Sequence, residues 1–222
     1  SEILLAKNSD PKSRKYINLI LDTADKATSL TKNLLSFSRK SEVIFKTLDL
    51  HNIINHSVEL LKRTIDKRII FDIELEAANS VIDGDVSKLE NSFINLGLNA
   101  RDAMHSNGKI TIKSETVFLD DFFCKLCSFD INPGNFIKIS FKDTGCGMDL
   151  ETQKRIFEPF FTTKEVGKGT GLGLAAVYGI IKEHRGAITV YSEEDIGTVF
   201  HIYLPLSKDV YVPEKEDIEQ IY

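Results

Sequence analysis

Residues 12–41 carry an apolar stripe that an isolated helix cannot satisfy. Ile17, Ile20, Ala24, Ala27, Thr31 and Leu34 step by threes and fours, which puts them on one helix face. Tyr16, Leu30 and Phe37 widen that stripe beyond a two-stranded seam and favour a helical bundle. Asp10-Pro11 supplies a start signal, because the proline's missing N–H has no partner in a first helical turn. Residues 2–7 (EILLAK) read as the last turns of an earlier helix, and residues 8–11 as a tight turn. A helical hairpin with a shortened first arm is expected. Its stripe calls for a second copy of the chain.

From residue 45 the periodicity changes. Strands are predicted over 45–50, 69–75 (IIFDIEL), 81–83, 110–118, 136–142, 188–191 and 198–204. Helices are predicted over 53–65, over 87–104, and from the Gly-rich stretch 145–173 to His184. Strands alternating with helices and closing in hairpins predict an α+β architecture, a mixed sheet with helices on one face. Segment 119–134 reads as a loop inserted between strands. The acidic tail 207–222 lacks a core pattern and reads as a linker. Three parts follow: a partial helical hairpin over 1–43, a globular domain over 44–206 and a linker over 207–222.

Charge narrows the partners. Against 33 Asp+Glu stand 28 Lys+Arg, a formal net charge of −5, which argues against nucleic-acid binding through bulk charge. No apolar run reaches the ~18 residues of a membrane span. Three cysteines do not suggest a disulfide framework, so a reducing cytoplasm is expected. A membrane anchor upstream in a longer parent stays open. Cys124-x-x-Cys127 lacks the second pair a zinc site needs and reads as incidental.

Three motifs carry chemistry. Asn95 and Asn99, four apart on the 87–104 helix, leave the same face. Their carboxamide oxygens suit Mg²⁺, which keeps waters and shares its shell with phosphate oxygens; solvated helix surface is the alternative. Asp143-Thr144-Gly145-Cys146-Gly147-Met148 follows a strand. A carboxylate acceptor beside glycines suits an adenine amino group, and a plain Asp-Gly turn stays open. Gly167-Lys168-Gly169-Thr170-Gly171-Leu172-Gly173-Leu174 precedes a helix and can turn backbone N–H groups toward phosphate. It is not a P-loop, and residues 160–168 (FFTTKEVGK) are not the buried strand of a dinucleotide fingerprint.

Order and spacing make the motifs specific together. Asn95/Asn99, Asp143-x-Gly-x-Gly, Phe157-Glu158-Pro159-Phe160-Phe161, Gly169-x-Gly-Leu-Gly and Gly197-Thr198 resemble the N, G1, F, G2 and G3 boxes of sensor histidine kinases. These kinases share an ATP-binding superfamily with gyrase, mismatch-repair ATPases and a heat-shock chaperone. The resemblance covers residues 45–206 and implies a two-layer α/β sandwich. Residues 30–39 (LTKNLLSFSR) resemble the second helix of the dimerisation and phosphotransfer hairpin.

By resemblance Asn99 is the Mg²⁺ ligand and Asn95 its supporting partner near the phosphates. Asp143 accepts from the adenine amino group, Gly145 and Gly147 shape that pocket, and Thr198 lines it. Thr162, Thr163 and Lys164 begin a lid over the triphosphate, with Lys164 as a phosphate contact. Gly169, Thr170, Gly171, Leu172 and Gly173 offer backbone donors and hinge the lid, while Phe157, Phe160 and Phe161 anchor it. Asp102 falls in the nucleotide group, although a surface role stays open for it and for Arg101.

The superfamily's hydrolases carry a Glu general base four residues before the metal-binding Asn. Here that position is Asn95, which cannot take a proton. The resemblance therefore implies phosphoryl transfer to a protein histidine and relay to a response-regulator aspartate. None of His51, His56, His105, His184 and His201 precedes an acidic residue as the acceptor histidine of these kinases does. The acceptor is expected upstream of Ser1, so this chain is expected to bind ATP without labelling itself. Implied partners are ATP, a second copy through 12–41 and a receiver domain; the long 119–134 loop resembles the hybrid type. Two other readings stay open: an ATPase or serine kinase of the superfamily, separable by ATP turnover, and a nucleotide-sensing scaffold, separable by Mg-ATP binding.

Overall fold

The computed structural model describes residues 13–17, 20–21, 45–104, 107–126, 131–165, 169–209 and 211. Two compact units divide the chain, Ser1–Glu42 and Val43–Tyr222. In the first, residues 13–17 are helical, and the exposed Tyr16 and Ile20 belong to the predicted stripe. Ile17 of the same stripe is half-buried; the rest of the stripe and the turn before it lie outside the described residues, as do most of the tail, His105 and Cys127.

In the second unit, β1 (Lys46–Asp49) runs straight into α1 (Leu50–Thr64). The helix begins before the predicted residue 53 because Asp49 caps it, its carboxylate accepting from the His51 N–H at 2.9 Å. β2 (Ile69–Leu75) and β3 (Val81–Gly84) lead to α2 (Val86–Met104). Asp85 caps α2, accepting from the Lys88 N–H at 3.1 Å. β4 (Gly108–Leu119), α3 (Asp121–Leu126), β5 (Gly134–Asp143), α4 (Leu150–Arg155), α5 (Gly173–Glu183), β6 (Ala187–Glu193) and β7 (Gly197–Pro205) complete the order.

The five-stranded sheet runs β2-β4-β5-β7-β6, with β2 parallel to β4 and the other pairs antiparallel. β1 and β3 form a separate antiparallel ribbon. Alternation puts Ile112, Ile139, Phe141, Phe200 and Ile202 on the face covered by helices, where they join Leu61, Phe93, Leu96 and Ile181 in one buried core. The result is an α/β sandwich, as expected.

Helices α1 and α2 approach so closely that Gly97 has no room for a side chain. A Cβ there would meet Leu61 Cδ2 at 2.7 Å and Cγ at 3.1 Å, and Leu61 is itself buried. Gly97→Val is expected to cost ~2 kcal/mol through overpacking, despite valine's better helix propensity. In thermal denaturation that corresponds to a midpoint roughly 4–8 °C lower; an unchanged midpoint would show that the helix crossing yields without strain.

Two segments differ from expectation. Segment 119–134, predicted as a loop, contains α3, because Asp120 accepts from the Phe123 N–H at 2.8 Å and starts a turn. Phe123 packs on Tyr203, ring centroids 5.1 Å apart, and Cys124, Ile131 and Phe136 are buried nearby. Tyr203 alternates with the core residues Ile202 and Leu204, so α3 covers part of the sheet face opposite α1, α2 and α5. Within the Gly-rich stretch, α4 forms where Asp149 accepts from the Thr152 N–H at 2.6 Å.

Candidate functional site

Helix α2 carries one wall of the site. Asn95 and Asn99 are half-buried and face the first residue of α5, Gly173. A Cβ at Gly173 would rest 3.6 Å from Asn95 Oδ1 and 3.8 Å from Asn99 Nδ2, so the missing side chain leaves both carboxamides open. The N-terminus of α5 is uncapped: Leu172 provides no side-chain acceptor and the first turn has no acidic residue. Free N–H groups and the helix dipole favour an anion there.

The chain between α4 and α5 is braced at both ends. Phe160 (φ 69°) donates its N–H to the Gly171 carbonyl at 2.9 Å. Gly171 (φ 64°) is required there, since a Cβ would sit 2.7 Å from Phe160 Cα. Phe157 packs between Tyr178 and Phe200, and the Arg155 guanidinium covers Phe161 at 4.3 Å. Thr162 Oγ1 accepts from the Lys164 N–H at 3.2 Å, and Gly169 lies against both residues. Thr163 and Thr170 are exposed, and Leu172 is buried. Gly167 and Lys168 lie outside the described residues.

The second cluster sits where the last turn of α2 meets β5 and β7. Asp143 is buried, and its Oδ1 accepts from the Gly145 N–H at 2.8 Å. Burial pushes its carboxyl above the ordinary range, opposed by backbone hydrogen bonds from Gly145 and Thr198. Thr198 pairs across the strands with Asp143, and its hydroxyl lies 2.8 Å from that of Ser192. Gly145 presses on Ala103, where a Cβ would lie 2.6 Å from that of Ala103. Gly147 (φ 68°) faces the Glu193 carbonyl with no room for a side chain. From Asn95 to Ala103 the helix rises about 12 Å, so α2 spans the distance between the two clusters.

Sequence reasoning missed how Asp102 and Lys164 meet: Lys164 Nζ donates to Asp102 Oδ2 at 2.6 Å, and Arg101 holds Asp102 Oδ1. The three-residue step from Asn99 to Asp102 along one helix was the available signal. Burial raises the Asp102 carboxyl, but the hydrogen bonds from Lys164 and Arg101 outweigh it and hold the group below its ordinary value.

His184, at the end of α5, is a buried neutral ring. Its Nδ1–H donates to the Ile180 carbonyl at 2.7 Å, and Nε2 accepts from the Asp85 N–H at 3.0 Å. It ties the end of α5 to the start of α2. Burial pushes its pKa down, as it does for His51 and His201. The unfolded chain therefore binds more protons than the folded one just below pH 6.5, so stability rises with pH through that window and is lost on acidification. Urea midpoints at pH 5 and pH 7.5 test this. His184→Phe is expected to cost ~1–3 kcal/mol by orphaning the Asp85 N–H and to shallow the pH slope; a slope as steep as wild type would remove His184 from the linkage. His51 bonds Ser114, His201 bonds Ser140 and His56 pairs with Glu90.

A mixed sheet with its three longest helices on one face, an open helix N-terminus facing two carboxamides and a buried carboxylate at a strand end defines a nucleotide-binding domain of the gyrase and histidine kinase class. The chain belongs to the histidine kinase-, DNA gyrase B- and HSP90-like ATPase family, whose model matches residues 84–208. The sensor kinase CckA of Brucella abortus is 40% identical over 92% of this chain and 22% of its own length. The signal transduction histidine-protein kinase AtoS of Escherichia coli is 33% identical over 93% of this chain and 31% of its own. The chain thus spans under a third of either relative. The catalytic domain of histidine kinase ThkA superposes with a TM-score of 0.59 at 31% identity, covering 72% of this chain and 95% of that one. ThkA in complex with the response regulator protein TrrA gives 0.66 at 27% identity, covering 90% and 54%.

Proposed function

We propose that this chain is the ATP-binding catalytic region of a two-component sensor histidine kinase, transferring the γ-phosphoryl group of ATP to a histidine for relay to a response-regulator aspartate. The observation that carries the reading is the uncapped N-terminus of α5 opposite Asn95 and Asn99, with an amide where a hydrolase needs a carboxylate base. Residues 1–43 serve dimerisation and phosphotransfer, 44–206 catalysis and 207–222 as linker; the exposure of Tyr16 and Ile20 on the single chain supports a homodimer. The complex formed by ThkA supports a response regulator as partner.

The donor set fits Mg²⁺. Among the described residues no cluster of three His, Cys, Asp or Glu could cage a metal; a hard cation that keeps its waters and shares phosphate oxygens needs only the Asn99 carboxamide, with Asn95 in support. Bound there, the ion supplies charge neutralisation during phosphoryl transfer. Asp143 accepts from the adenine amino group within walls set by Gly145, Gly147 and Thr198. Gly169, Thr170, Gly171, Leu172 and Gly173 turn backbone donors to the phosphates, and Thr162, Thr163 and Lys164 close on them from the α4 side. Asn95 and Asn99 cannot deprotonate water, so transfer to a positioned histidine outruns hydrolysis.

Calorimetry with ATP and Mg²⁺, paired with an ATP turnover assay, tests the proposal. Expected are saturable binding and at most very slow hydrolysis. No binding would favour a scaffold, and brisk turnover would favour a hydrolase.

A further inference from the structure

Lys164 and Asp102 reach the site from different elements. Lys164 stands on irregular chain after α4, while Asp102 stands on α2 three residues beyond Asn99. Lys164 Nζ donates to Asp102 Oδ2 at 2.6 Å and lies 3.5 Å from Asn99 Oδ1. The other carboxylate oxygen accepts from Arg101 Nε at 2.8 Å and Nη2 at 2.6 Å. Both oxygens of Asp102 are thus committed to cations. One anion and two cations leave a single net positive charge beside the carboxamides.

The lysine stem is guided as well. A Cβ at Gly169 would come within 3.2 Å of Lys164 Cβ and Cδ, so the glycine keeps room for the stem. Without a partner, so flexible a side chain would spend most of its time elsewhere, and fixing it costs rotamer entropy. We propose, resting on the nucleotide reading above, that Asp102 is a positioning residue: it holds the Lys164 ammonium beside Asn99, ready for the terminal phosphates, and acts on the nucleotide through Lys164.

The alternative predicts the opposite sign. A carboxylate that merely stood near a triphosphate would repel it, and removing that charge would tighten binding. Held between Arg101 and Lys164, Asp102 instead organises positive charge, so its removal weakens triphosphate binding.

The test is a double-mutant cycle on the whole chain with Asp102→Asn, Lys164→Ala and both together, titrated with ATP and AMP in Mg²⁺. Each single variant is expected to lose about tenfold in ATP affinity with AMP within twofold. The double variant loses no more than Lys164→Ala alone, and Asp102→Glu recovers most of the loss. A second readout needs no nucleotide: acylation by acetic anhydride, mapped by mass spectrometry. In the wild type Lys164 should react more slowly than the exposed Lys142, and Asp102→Asn should speed Lys164 alone. Losses that multiply in the double variant, tighter ATP binding by Asp102→Asn, equal losses for AMP and ATP, or Lys164 reacting as fast as Lys142 would each overturn the assignment. A wild-type chain that binds no ATP would remove the nucleotide reading and this proposal together. Binding with multiplicative losses would remove the positioning role alone.

Discussion

Asn99→Ala is expected to weaken Mg-ATP binding by about 100-fold, while ATP binding in a chelator changes little. The size follows from the loss of a metal donor where few protein donors exist: the shells around metal sites typically affect affinity by tens to a hundredfold, and no caging cluster lies among the described residues to compensate. Asn99 is half-buried on the face of α2 turned to Gly173, while the core side of that helix is formed by Phe93, Leu96 and Ala100. Truncation therefore leaves the packing intact, and the variant should melt with the wild type. Calorimetry with and without Mg²⁺ separates the causes. Equal weakening under both conditions would mean that Asn99 shapes the pocket instead of holding the ion.

The parts legible in the sequence are those written in local pattern. Alternation marked β2, β4, β5 and β7, and apolar period marked α2, because these elements bury one face against the core. Their ends were set by caps: Asp49 and Asp85 start their helices a few residues or one residue before the apolar period shows. Helices α3 and α4 escaped because each has six residues, too few to display a period; their caps, Asp120 and Asp149, emerge only in the structure. The glycine motifs are local in sequence, but the structure gives tertiary reasons for their glycines. Gly145 is small because Ala103 lies over it, and Gly171 because Phe160 crosses it. His184 shows the same limit on local reading: its place at a helix end was legible, and its neutrality was not, because that depends on Asp85 far away in sequence.

Asp102 and Lys164 extend this point to charge. Spacing put Asp102 on the same helix face as Asn99, but nothing local revealed that it joins Lys164, since the pairing depends on where the chain after α4 returns to α2. Half-exposed ion pairs contribute little to stability on their own. The effect of this one is expected in how phosphate is met, so a melting curve alone will not detect it.

Asp143→Asn is expected to cost about 100-fold in ATP affinity and to reduce the preference for ATP over GTP. The carboxylate is buried, and its Oδ1 already accepts from the Gly145 N–H. Asparagine keeps an oxygen for that bond and matches the shape, and burial already disfavours the charged form, so the fold should tolerate the change. Recognition should not. An amide nitrogen would point a donor at the adenine amino group, itself a donor, and a site built for a hydrogen bond discriminates strongly when that bond cannot form. Guanine presents an acceptor at the same ring position, so GTP should lose less. The raised carboxyl range adds a pH signature: ATP affinity in the wild type should fall on acidification at a higher pH than for an ordinary aspartate, and Asp143→Asn should lack that fall. Titrations with ATP and GTP across pH 4.5–8 read both effects. An unchanged ATP-to-GTP ratio in the variant would remove Asp143 from the adenine pocket.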